Sequence, residues 1–198
     1  MKLSSGSVIL GVLSFILACN GQSQKTVSTV NVDKEIVQLK KQLEGSPNSS
    51  SLHSQLSALL AAKGDWDGSD IEMNVAMQLD PNNSILYIAA AQGYRARGLT
   101  AKAVEVLKRA VTVDPENPLA HFTLALMYEH QGDRDKATTE FNETERLIDT
   151  LSLPKSTPDS GNRIIRGTHG DTWYRDHFGK EYLLDDKILA SLKKKLSK

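Results

Sequence analysis

Pro47, Pro81 and Pro115 are evenly spaced, and Gly64, Gly98 and Gly132 keep the same interval, with Gly64 and Gly98 each midway between two prolines. Proline removes a helix donor, and glycine accepts the left-handed backbone that ends a helix. The two series therefore cut the chain into short, equal stretches, and the sequence between the cuts is helix-like. A fixed period of roughly 20–50 residues marks a solenoid, in which each unit buries its apolar face on its neighbours. Proteins of this architecture present extended binding surfaces, so a scaffold is expected before a catalyst.

Ending each unit two positions past a proline gives units at 50–83 and 84–117, and the same length carried on gives a third at 118–151. In the second unit, Tyr87, Ala90, Ala91, Tyr94, Gly98, Ala103, Leu107, Ala110 and Asp114-Pro115 form an ordered series of large, small, turn and breaker residues. The third supplies Leu124, Ala125, Tyr128, Gly132, Ala137 and Phe141, with Thr144 and Asp149 where alanine and proline stood before. The first supplies Leu56, Leu60, Gly64, Met73, Ala76 and Asp80-Pro81, with Ser69 in place of an alanine. This pattern resembles the tetratricopeptide repeat, a pair of antiparallel helices in about 34 residues. The resemblance implies an all-α fold: a short helical solenoid of antiparallel helix pairs, with an added C-terminal helix.

The physics of each position agrees. Large residues at helical spacing fill the layer between paired helices, and small ones let the backbones approach. Asn117-Pro118 reads as a helix start, with a capping side chain ahead of a proline at the first helical position. Asp33 to Glu44, with Ile36, Leu39 and Leu43 on one stripe, reads as a capping half-unit, so the repeat domain is expected over 32–151. After the third unit, Leu147 to Leu151 extends the last helix. Residues 152–172, rich in Ser, Thr, Pro and Gly, read as a loop. Tyr182 to Leu196 reads as an amphipathic helix with Leu183, Ile188, Leu189, Leu192 and Leu196 on one side.

In the resembled family the first helix of each unit lines a concave groove. Carried over residue by residue, the groove is Ile85, Ile88, Gln92 and Arg95 from the second unit, with Leu119, Phe122, Leu126 and Glu129 from the third. The carboxylate clamp of some relatives needs lysine, asparagine and arginine, and Ser54 and Ala58 stand at two of its key positions, so capture of a free C-terminal acid is not implied. What the carry-over leaves is an apolar strip of Ile85, Ile88, Leu119, Phe122 and Leu126, of the kind that marks an interaction site. The alternative is that the chain covers its own groove with Trp173, Tyr174, Phe178 and Tyr182, or packs that tail on its last repeat.

The N-terminus sets the expected compartment. Lys2 and the apolar Val8–Leu17 stretch read as an export signal over 1–18, too short for a permanent span of a hydrocarbon core about 30 Å thick. Ile16-Leu17-Ala18-Cys19, which holds the chain's single cysteine, resembles the lipobox of bacterial lipoproteins. The resemblance implies a lipidated Cys19, a membrane-bound protein and a flexible tether over 19–31. Asn20, rather than aspartate, points to the periplasmic side of the outer membrane. The formal charge is zero, and residues 20–149 hold 13 Lys and Arg against 18 Asp and Glu, which argues against nucleic acid.

An enzyme reading rests on His169, Asp171, Asp176 and His177, which could be drawn as metal ligands. No recognised ligand spacing supports it, and no cofactor motif is present. His53 and His121 fall at a position that faces the paired helix. The expectation is therefore a lipid-anchored, non-enzymatic scaffold that binds a protein or peptide in the cell envelope, without metal or cofactor. Relatives by resemblance assist pilus, outer-membrane-protein or cell-wall machinery. A metal-dependent enzyme and a self-occluded solenoid are the alternatives.

Overall fold

The computed structural model describes residues 29–152, 163–166, 172–175 and 181–197. Cys19, the export signal, most of the tether, Phe178 and the His169–His177 cluster lie outside the described residues. The chain divides into two compact units, Met1–Pro81 and Asn82–Lys198.

In the first unit, α1 (Thr29–Gly45) packs on α2 (Ser50–Lys63), which pairs with α3 (Trp66–Leu79). Helix α1 begins inside the expected tether and adds Val32 to the predicted stripe. Val32, Ile36 and Leu39 form one cluster with Leu56, Leu59 and Leu60. Ser49 caps α2 by accepting from the Leu52 N–H, and Asp65 caps α3 by accepting from the Gly68 N–H. Between the two helices Gly64 is left-handed at φ 87°, and its N–H reaches the Ala61 carbonyl.

The second unit repeats the scheme with α4 (Ser84–Ala96) on α5 (Thr100–Val113), then α6 (Pro118–Gln131) on α7 (Arg134–Ser152). Asn117 is buried and does two jobs. Its Oδ1 accepts from the N–H groups of Leu119 and Ala120, while its Nδ2 donates to Ser84 Oγ at 2.8 Å. Ser84 Oγ in turn donates to Asp114 Oδ2, so the starts of α4 and α6 share one polar chain with the end of α5. Helix α7 runs 19 residues where α3 and α5 run 14, because Asp149 stands where proline ended the others.

Small residues sit where helices approach most closely. Ala91, Ala103, Ala110, Ala125 and Ala137 are all at or below 1% exposure. The repeat-equivalent pair in the first unit is Ser57 and Ser69, both buried, with their hydroxyls 3.0 Å apart. A hydrogen bond there replaces a contact between methyl groups. Ser57→Ala alone strands the Ser69 hydroxyl and should cost about 1–3 kcal/mol in chemical denaturation. The double change Ser57→Ala with Ser69→Ala should recover most of that loss, because it recreates the alanine pair of the other two units. A double variant as unstable as the sum of the singles would contradict this reading.

The tail differs from the sequence expectation. Part of the expected loop and the start of the expected helix instead form an antiparallel sheet, β1 (Arg163–Arg166), β2 (Thr172–Arg175) and β3 (Glu181–Leu184), in that order. Helix α8 begins only at Asp186 and ends at Leu196, with Asp185 accepting from the N–H groups of Lys187 and Ile188. Leu183 therefore leaves the predicted helical stripe. In β3 it alternates outward, while its neighbours Tyr182 and Leu184 turn inward. Ile164 and Tyr182 both lie opposite Tyr174 in the sheet, and the two tyrosine rings stack with centroids 6.2 Å apart.

Both β1 and α8 pack on α7. Leu192 is 2% exposed, and the α8 C-terminus is held from outside: Arg134 donates to the carbonyls of Lys195 and Leu196. These are carbonyls that a helix end leaves without partners. Lys193 pairs with Glu145 on α7, and Lys195 with Glu129 on α6. The tail thus covers the last repeat, the end at which a solenoid needs capping.

Candidate functional site

Helices α4 and α6 lie against each other, which makes one row of the first helices in the second unit. The predicted groove residues fall on that row at different depths. Ile88, Leu119 and Phe122 are buried, at 3%, 9% and 5% exposure, so they do not form an exposed apolar strip. Carrying over positions places these side chains on the first helices but does not give their depth. Ile85 and Leu126 are half-buried, as are Gln92 and Glu129, and Arg95 is exposed.

The accessible row is consequently polar with apolar edges: Gln92 and Arg95 from α4, Leu126 and Glu129 from α6. Glu129 Oε1 accepts from Lys195 at 2.8 Å, so one end of the row already meets the tail. No local sequence signal points to this contact, which joins distant parts of the chain. Of the aromatic residues named in the self-covering alternative, Tyr174 and Tyr182 are buried in the sheet, and Trp173 is half-buried.

Among the described residues, no group of three or more His, Cys, Asp or Glu is placed to hold a metal ion, and no described helix is long and apolar enough to cross a membrane. The two histidines that sequence spacing placed at the helix-pair interface are found there. His53 Nδ1 lies 2.6 Å from Glu72 on α3, and His121 Nδ1 lies 2.7 Å from Glu140 on α7.

The TPR repeat family matches residues 91–132, from mid-α4 to the turn after α6. Two solved structures share the fold. The crystal structure of MamA aligns with a TM-score of 0.55 at 20% identity, over 60% of this chain and 70% of that one. PilF of Pseudomonas aeruginosa aligns with a TM-score of 0.54 at 20% identity, over 72% of this chain and 60% of that one. No curated protein matches the chain. These likenesses support the class that the helix pairs define, a tetratricopeptide-repeat fold. The match spans the later part of the second unit and the first helix of the third.

Proposed function

We propose that this chain is a lipid-anchored scaffold of the bacterial cell envelope, non-enzymatic, which binds a protein partner across α4 and α6. The observation that carries the binding surface is the packing of α4 beside α6 with Gln92, Arg95, Leu126 and Glu129 left accessible on one row. Repeats of this kind act by presenting such rows to a partner. The anchor rests on Ile16-Leu17-Ala18-Cys19, and the outer-membrane placement on Asn20. Two acyl signals or more give stable attachment, because each buried CH₂ contributes about 0.8 kcal/mol.

Two measurements test the two halves separately. Wild-type protein should fractionate with membranes and incorporate labelled fatty acid, while Cys19→Ser should do neither; equal labelling of both would remove the anchor. A pull-down from crosslinked intact membranes should lose its partner with Gln92→Trp or Arg95→Glu and keep it with Glu105→Lys on the exposed side of α5. Equal capture by all three would remove the α4–α6 surface.

A further inference from the structure

We propose that the first and third repeats each carry a proton-operated clasp, in which an imidazole ties the turn ahead of the first helix to the second helix of the same repeat. The two sites stand two repeat lengths apart and have the same construction. His53 Nε2 lies 2.9 Å from the Pro47 carbonyl, and Nδ1 lies 2.6 Å from Glu72 Oε2. His121 Nε2 lies 3.1 Å from the Pro115 carbonyl, and Nδ1 lies 2.7 Å from Glu140 Oε2. In both repeats one bond reaches back to the turn, and the other reaches forward to the paired helix at the same sequence separation.

The acceptors decide the chemistry. A backbone carbonyl only accepts, so Nε2 must carry a proton. An ionised carboxylate also only accepts, so Nδ1 must carry one too, and a neutral ring has a single N–H to share between them. Placing the shared proton on the glutamate instead leaves the count unchanged: the clasp holds one proton more than a neutral imidazole beside a carboxylate. When that proton leaves, one of the two bonds is lost, and either the carboxylate or the backbone carbonyl oxygen faces a ring lone pair at hydrogen-bonding distance.

The surroundings favour the proton. For His121, burial disfavours the charged ring, but the bonds to Glu140 and the Pro115 carbonyl and the charges of Glu140 and Glu143 outweigh it and raise its affinity above the ordinary value of 6.5. Glu143 is itself paired with Arg146, and no described charged group of α4 or α5 acts on the ring. For His53, burial is likewise outweighed by the Glu72 bond, the Pro47 carbonyl and the Glu72 charge, and no described charge on α1 acts on it. Both folded values are raised above the unfolded one. The contribution of each clasp is therefore complete below pH 6.5 and is lost as pH rises through the folded value.

The second repeat is a built-in control. Tyr87 stands at the histidine position with its ring 5.4 Å from the Arg109 guanidinium, and Val106 stands at the glutamate position. Neither a histidine nor a carboxylate stands at these two positions, so this repeat has no equivalent clasp.

The test is amide exchange on the full chain, with protection factors corrected for intrinsic pH dependence, beside a titration of the imidazole ring resonances. Between about pH 6 and about pH 8.5, protection around Ser49 and His53 and around Asn117 and His121 should fall several-fold, while that around Asn83 and Leu86 holds. His53→Gln and His121→Gln should each remove the pH dependence in its own repeat only. If a variant fails to fold, the wild-type comparison among the three turns decides. Equal pH dependence in all three turns, or imidazoles that titrate at or below 6.5, would overturn the proposal.

Discussion

Leu107→Ala lowers the stability of the second unit by about 2–5 kcal/mol, the range for truncating a fully enclosed leucine and leaving a cavity. Leu107 is 0% exposed, and in the same helix α5 its neighbours Ala103 and Ala110 are also wholly enclosed. Close helix approach at those alanines leaves little freedom for the surroundings to collapse into the space, which places the loss toward the upper half of that range. Glu105→Ala, on the exposed side of the same helix, should change stability by less than about 0.5 kcal/mol. Chemical denaturation of the two variants reads the repeat phase directly. Equal losses at the two positions would mean that the repeat frame is set wrongly on this helix.

Truncation after Ser152 is the second large effect. It removes the sheet and α8, and with them the burial of Tyr174, Tyr182, Leu184 and Leu192. On α7 it uncovers the crevice side that holds Phe141 and Ile148, which Leu189 and Ala190 of α8 line from opposite. Each fully buried side chain of this size contributes about 1.5–3 kcal/mol. Removal should therefore lower the melting temperature, raise binding of an apolar-surface dye and promote self-association, as expected for a solenoid stripped of its end cap. If neither dye binding nor melting temperature changes, the tail is an independent arm rather than a cap.

The repeat frame is legible in the sequence because its signals are local. Gly64, Gly98 and Gly132 all adopt left-handed backbone, at φ 87°, 72° and 78°, and Asn117-Pro118 starts α6 as its residue types require. The placement of His53 and His121 is legible too, since helical spacing alone turns that position toward the paired helix. The tail is less so. Its strands are four residues each, too short for an alternating pattern to stand out. Tyr182-Leu183-Leu184 supplies apolar residues that merge with the real helical stripe of α8. The groove is obscured for a different reason. Sequence position identifies which residues lie on the first helices, but the depth of Ile88, Leu119 and Phe122 is set by tertiary packing, which has no local signal.

The most direct measurement of the central claim is site-specific photocrosslinking in intact cells, with a photoreactive residue placed in turn at Gln92, Leu126, Lys108 and Thr112. Gln92 and Leu126 lie on the proposed row, while Lys108 and Thr112 are exposed on α5. A scaffold that binds across α4 and α6 gives one discrete crosslinked partner from Gln92 and Leu126 and none from Lys108 or Thr112. Crosslinks confined to the α5 positions, or the same products from all four, would contradict it.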